Sequence, residues 1–348
     1  MTIKHILFTT LFGLLLTVGF GQKPKYKVQT IAFYNLENLF DTIRNEEIND
    51  IDFTPQGSYG WDSKKYDNKL QNMSSVIPKI GANVIDEGPA ILGVCEIENR
   101  GVLEDLVAMP GLKERNYQIV HEDSPDERGI DCALLYQADK FTVESHKSFF
   151  TKIRDRGGKP DYTRDVLLVT GLLDGERFHF LVNHWPSRSG GEKVSMPNRI
   201  ASAELNKEII DSIKLADPTA KIVTMGDFND DPVSPSMKKV LNAKGNKKLL
   251  QEGDLYNPFF TKYKKGFGTT AWRDAWSLFD QIVVSESLVF PDNGGYQYIN
   301  AGRHNPDHML QTKGRFKGYP KRTHAGGEYL NGYSDHFPVY IYVAKEVK

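Results

Sequence analysis

The sequence predicts one α/β domain over residues 25 to 345, two packed β-sheets with helices on their outer faces. Three observations predict it. Short apolar runs rich in Val, Ile, Leu and Phe recur through both halves and are separated by Gly, Pro and Asn clusters. Longer stretches between some of them carry apolar residues at helical spacing. No repeat, low-complexity linker or composition shift marks a seam between halves, so the mixed pattern reads as layers of one unit.

The strand-like runs, in order, are Lys27–Tyr34, Ala90–Cys95, Asp131–Tyr136, Val166–Leu173, Phe178–Val182, Lys221–Met225, Gln281–Ser285 and Val339–Val343. Helices are predicted over Asp62–Ile80, with Leu70, Met73 and Ile77 on one face and Asp62 as cap, and over Pro197–Leu215. The second aligns Ile200, Ala203, Ile210 and Ile213, with Ser195 or Asn198 as cap. Before the first strand, Lys4 and His5 precede an apolar run from Ile6 to Phe20, then the polar Gln22-Lys23-Pro24-Lys25, with Gly19 and Gly21 near the junction. Residues 1–21 therefore read as a secretory signal peptide and 22–348 as a single domain, secreted or periplasmic. The apolar run falls short of the ~20 residues of a spanning helix, so no stable membrane anchor is expected.

Composition excludes other classes. The 348 residues are 39% hydrophobic, 26% charged and 11% aromatic, which rules out a disordered chain, a coiled coil and a polytopic membrane protein. The net charge of −1 supplies no global attraction to a polyanion, so any such attraction is local. The two cysteines, Cys95 and Cys132, lie in strand-like segments; a disulfide between neighbouring strands and two buried free thiols are both open, and no zinc spacing exists.

One pattern carries the functional reading. Apolar strand bodies stop abruptly at acids, amides and histidines: Ile31–Tyr34 at Asn35-Leu36-Glu37, Ile91–Cys95 at Glu96, Phe178–Val182 at Asn183-His184, and Ile222–Gly226 at Asp227-Phe228-Asn229. Asp335-His336 precedes the last strand. Ligands of α/β proteins collect at strand ends. Carboxylate and amide oxygens suit a hard cation such as Mg²⁺, histidine moves protons near neutral pH, and Asp280 is a candidate to orient His336. Five such ends together point to a hydrolytic metal centre.

These motifs, Asn35-Leu-Glu37, Glu96, Asn183-His184-Trp-Pro, Gly226-Asp227-Phe-Asn229, Asp280-Gln-Ile-Val-Val-Ser and Ser334-Asp335-His336, resemble the endonuclease/exonuclease/phosphatase (DNase I-like) superfamily in family order from Asn35 to about Val343. The resemblance implies a four-layer α/β sandwich with two packed mixed β-sheets flanked by helices, and an Mg²⁺ or Mn²⁺ cofactor. It implies metal roles for Glu96, Asn35, Glu37 and Asp335. It implies a water-positioning pair in Asp227 and Asn229, a phosphate-contacting His336 backed by Asp280, and a general acid in His184 with Asp131 as orienter. Either Asp227 or the His336–Asp280 pair is the base. Arg164 matches a phosphate-contacting arginine, and Trp185, Arg188 and Arg199 are candidates to touch substrate.

Between His308 and Gly327 five basic residues, Lys313, Arg315, Lys317, Lys321 and Arg322, interleave with Phe316 and Tyr319 and no acid intervenes, a composition suited to a phosphate backbone and a stacked base. Three functions follow: an exported nuclease cutting DNA or RNA, a phosphodiesterase or phosphatase acting on phospholipid headgroups (sphingomyelinase- or inositol-phosphatase-like) or small phosphate esters, and a non-catalytic binding module. No protein partner is implied and a monomer is expected.

Overall fold

In a computed structural model, which describes residues 25–291 and 295–347, thirteen principal strands form two sheets. The signal-peptide segment lies outside the described residues. In chain order the strands are β1 (Lys25–Leu39), β2 (Ile91–Ile97), β3 (Tyr117–His121), β4 (Asp131–Gln137), β5 (Phe141–Phe149), β6 (Val166–Leu173), β7 (Glu176–His184), β8 (Lys221–Asp227), β9 (Ala243–Lys244), β10 (Leu255–Tyr256), β11 (Asp280–Ser285), β12 (Gln297–Arg303) and β13 (Val339–Val347). The first sheet runs β12-β13-β1-β2-β4-β3 and the second β9-β10-β11-β8-β7-β6-β5. Both are mixed: β1 with β2 and β7 with β8 are parallel, while β1 with β13 and β8 with β11 are antiparallel.

Alternation along the strands builds the layers. Ile31 and Phe33 of β1 join Val182, Met225, Ile282 and Ile341 in the core between the sheets. Ala32 and Tyr34 point the other way, into a second core beneath α1 (Ser63–Val76) and α2 (Arg100–Ala108). A third core lies under α3 (Glu192–Ala216), around Leu181, Ala203, Ile210 and Ile222. The order helix, sheet, sheet, helix is the predicted four-layer sandwich.

Asp62 caps α1 as its spacing predicts, accepting from the Lys65 N–H, but the α-helix stops at Val76 because Pro78 follows and the chain tightens into a 3₁₀ turn. The second predicted helix begins earlier, at Glu192 after Gly191, and runs through Pro197. Neither predicted cap acts as one: Ser195 donates back to the Gly191 carbonyl, and Asn198 donates to the Arg154 carbonyl. Cys95 and Cys132 face each other in register on β2 and β4 as free, buried thiols.

Candidate metal and phosphoester centre

Each functional side chain sits where a strand ends. β1 and β2 run parallel with Asn35 opposite Cys95, so Asn35 and Glu96 leave the first sheet at the same edge. In the second sheet Asp227 at the end of β8 is in register with His184 on one side and Asp280 on the other. His336 enters just before β13. The backbone is turned sharply at these points: Glu37, Asn38, Glu96 and Asn229 all hold φ between 49° and 58°. Such left-handed conformations are costly for residues other than glycine and concentrate at functional sites. At Glu96 the turn breaks the pairing register between Cys95 and Ile97, lifting the carboxylate out of the strand pleat.

Asp227 is the hub. Its Oδ2 lies 3.8 Å from His184 Nε2 and 3.8 Å from His336 Nε2. Its Oδ1 accepts the Asn229 backbone N–H at 3.0 Å. Glu96 Oε1 is 3.7 Å from His184 Nε2. Asn35 Nδ2 donates to Glu96 Oε1 at 3.1 Å and to Asp227 Oδ2 at 3.2 Å, while its own oxygen accepts the Glu37 N–H. Asn35 thus supports the centre as a donor between carboxylates. His336 Nδ1 pairs with Asp280 Oδ2 at 2.7 Å, which turns Nε2 toward Asp227. Ser334 locks this arrangement by donating to the Asn35 carbonyl and accepting the His336 N–H.

Burial and charge set the protonation states. Burial raises the Asp227 carboxyl; His336 opposes this and Asp280 adds to it, and the balance is a carboxyl pushed up to about 7. Burial works against a charged His336, but Asp280 and Asp227, then Asp335, outweigh it and hold the imidazole well above the usual histidine range. His184 goes the other way. Burial, with Arg164, Arg128 and His336 nearby, keeps it well below that range and neutral.

The donor set fits a divalent cation. Glu96, His184 and Asp227 form one group of mutually close ligand atoms, all within 4.8 Å, and Asp227, Asp280 and His336 form another. Asp280 Oδ1, on the carboxylate that pairs with His336, is buried without a hydrogen-bond partner among the described residues, unmatched polarity beside the second group. Glu96 would hold the ion, with Asp227 and His184 beside it.

Other predicted residues sit elsewhere in the network. Glu37 is absent from these ligand groups; its Oε2 accepts the Thr323 N–H at 2.7 Å and lies 3.7 Å from the buried Lys69 ammonium. Asp335 is paired to Arg322 at 2.7 Å, with its other oxygen 4.0 Å from His336 Nε2. Asp131 does not reach His184: it holds His121 at 2.9 Å and accepts from Ser124, because β3 and β4 are paired neighbours. Arg164 is no free phosphate contact. Its guanidinium is buried against Asp126 at 2.9 Å and donates to the carbonyls of His184 and Trp185, so it fixes the His184 backbone. Trp185 is buried in the core under α3 and donates to Asn183. Arg188 binds Asp230 and Asp231 over the Phe279 ring, and Arg199 is fully buried against Asp230. Asn229 donates its side-chain N–H to the Trp185 carbonyl.

Two cavities flank the Arg322–Asp335 pair. One, of about 260 Å³, is lined by Trp272, Arg273, Arg315, Phe316 and Tyr319. A hairpin of Thr270–Trp272 and Ala275–Ser277 forms its far wall, pinned to the basic segment by Asp274, which pairs with Arg315 and accepts from the Tyr319 hydroxyl. The other, of about 200 Å³, is polar and reaches Glu37. Sequence reasoning missed Lys69. Its signal is positional: Tyr66, Lys69, Leu70 and Met73 share one buried helix face, and a lysine there needs a partner.

A search of solved structures finds the same fold in an endonuclease/exonuclease/phosphatase family protein from Bacteroides thetaiotaomicron (18% identity, TM-score 0.54, covering 93% of this chain and 100% of that one). It also finds a mannosyl-6-phosphatase of the same organism (20%, 0.52, 90% and 99%) and D. rerio TDP2 complexed with single-strand DNA product (11%, 0.53, 91% and 98%). No curated protein sequence matches the chain. The model of the Endonuclease/Exonuclease/phosphatase family matches residues 30–345. With nearly all of the described chain matched, this protein belongs to the endonuclease/exonuclease/phosphatase family.

Proposed function

We propose that the protein is an exported, divalent-metal-dependent phosphodiesterase, a nuclease that hydrolyses DNA or RNA by in-line attack of water. The observation that carries this reading is the Asp227 carboxylate shared by two ligand groups, one containing Glu96 and His184 and the other containing His336. Mg²⁺ or Mn²⁺ bound there supplies charge neutralisation at the phosphate. Asp227 Oδ2 takes the proton of the attacking water, its Oδ1 being held by Asn229. His336, kept cationic by Asp280, donates from Nε2 to a phosphate oxygen. Neutral His184 sits across Asp227 to meet the leaving oxygen. The cavity with Trp272, Arg315 and Phe316 favours nucleic acid, because aromatic faces and guanidinium groups follow a strand without reading its sequence.

A second reading, small phosphate esters of sugars, is favoured by the polar cavity that also meets Asp335 and by the mannosyl-6-phosphatase among the similar structures. The test is a substrate panel of supercoiled plasmid, single-stranded DNA, RNA, sphingomyelin, inositol phosphates and mannose 6-phosphate, each with Mg²⁺ and with EDTA. Metal-dependent strand cleavage is expected. Activity on none of them would overturn the hydrolase reading. Export is tested by N-terminal sequencing of the protein recovered outside the cytoplasm, with a new terminus expected near residue 22.

A further inference from the structure

We propose that the cavity bounded by Tyr59, Trp61 and His324 is a subsite for a neutral, hydroxyl-bearing ring, a sugar, carried by the phosphoester next to the reacting phosphate. The proposal rests on the phosphoesterase reading and names what one ester substituent must be.

Position comes first. The cavity shares Arg322 and Asp335 with the aromatic, cationic groove, so the two meet at one ion pair beside His336. A phosphodiester has two substituents to place, and these are two unlike places for them. At about 200 Å³ the cavity admits a single ring rather than a folded strand.

The lining then selects the ring's chemistry. Glu37 and Asp335 present carboxyl oxygens that accept from a hydroxyl, with Asp335 and the Arg322 of the same lining neutralising one another. His324 stacks on Tyr59 with ring centroids 4.6 Å apart and stands 5.7 Å from Trp61, making a rigid aromatic wall for the C–H face of a ring. The His324 Nε2 is buried and has no hydrogen-bond partner among the described residues. Burial, with Lys65 and Lys69 nearby, pushes this imidazole down to about 4, so it is neutral and its ring nitrogens offer one donor and one acceptor. A hydroxyl group is both donor and acceptor and matches it; an apolar acyl chain would leave the His324 nitrogen unpaired.

The wall is also fixed in advance. His324 lies on a two-stranded hairpin closed by Gly326 and Gly327, both at positive φ. At its root the Thr323 N–H donates to Glu37 and the Thr323 hydroxyl accepts from Lys69 at 2.7 Å. A ligand therefore meets a formed site.

The experiment uses the Mg²⁺-loaded protein and p-nitrophenyl phosphodiesters with one leaving group and three second substituents: cyclohexylmethyl, glucos-6-yl and uridin-5′-yl. The first two rings match in size and differ in their oxygens. We expect kcat/KM at least about tenfold higher for glucos-6-yl or uridin-5′-yl than for cyclohexylmethyl, since a site built to bond hydroxyls rejects the analogue lacking them. Which of the two is preferred distinguishes a hexose from a nucleotide source. In H324L that ratio should fall toward one, and H324Q, which keeps an acceptor, should retain part of it. Equal rates for all three esters overturn the proposal, as does a preference untouched in H324L or lost equally in H324Q. If no ester is cleaved, the hydrolase reading has failed separately; saturation-transfer NMR of glucose 6-phosphate then decides, with transfer to the wild type and not to H324L supporting the subsite and no transfer overturning it.

Discussion

At the scale of single residues, burial and charge drive two histidines around the Asp227 carboxyl in opposite directions. His336 is cationic because three carboxylates surround it, and His184 is neutral because burial and two arginines oppose its charge. Glu96→Gln and His336→Ala should each lower kcat by about 10²–10⁴-fold with the thermal midpoint nearly unchanged, measured on the best substrate of the panel. Asp227 predicts a pH dependence. Its carboxyl is pushed up to about 7, and its negative charge strengthens the binding of a cation beside it, so Mg²⁺ affinity should rise with pH through 7 and fall below it. Calorimetric titration of Mg²⁺ between pH 6 and 8 checks this; a flat profile would contradict it. These residues could be read from the sequence because an acid that ends an apolar strand stands out. Their partners were harder. Asp131 follows Arg128-Gly-Ile in the chain and nothing there tells which histidine lies across the sheet; pairing of β3 with β4 decides for His121.

The elements explain what the sequence hid. Five strands are absent from the sequence prediction: β3, β5 and β12 are sheet edges, where one face or more meets water and alternating polar residues dilute the apolar pattern, and β9 and β10 are two residues each, too short to show a pattern. The longer interior strands were legible because both faces are buried. Lys69 was illegible for the converse reason, since a lysine in a helix ordinarily faces solvent. In α1 it is 1% exposed, donates to Thr323 and the Tyr333 carbonyl, and faces Glu37. Lys69→Met should cost about 3–5 kcal/mol in urea unfolding of the metal-free protein, because it strands a buried carboxylate. Burial already raises Glu37 to about 7, so below that pH the carboxyl takes a proton and the loss should be smaller at pH 6 than at pH 8. The β8 end is equally constrained. A Cβ at Gly226 would stand 2.4 Å from the Asn183 carbonyl oxygen, so Gly226→Ala should displace Asp227 and reduce activity along with stability.

For the whole molecule, the sandwich is what turns distant segments into neighbours: Asn35, Glu96, His184, Asp227, Asp280 and His336 come from six strand ends on two sheets whose shared core runs from Ile31 to Val343. No helix among the described residues is long and apolar enough to cross a membrane. Cys95 and Cys132 are free although directly opposed, so the thermal midpoint should be the same with and without reductant; a drop on reduction would show that they pair. The position of β13 has a consequence for biogenesis. It is last in chain order among the described strands yet lies inside its sheet, between β12 and β1. During synthesis β1 must wait, one flank bare, for a strand some three hundred residues later, and His336 arrives with it. A nascent chain without this strand thus holds the carboxylates but not the His336 imidazole beside them, so the centre is complete only when translation and folding are both nearly finished.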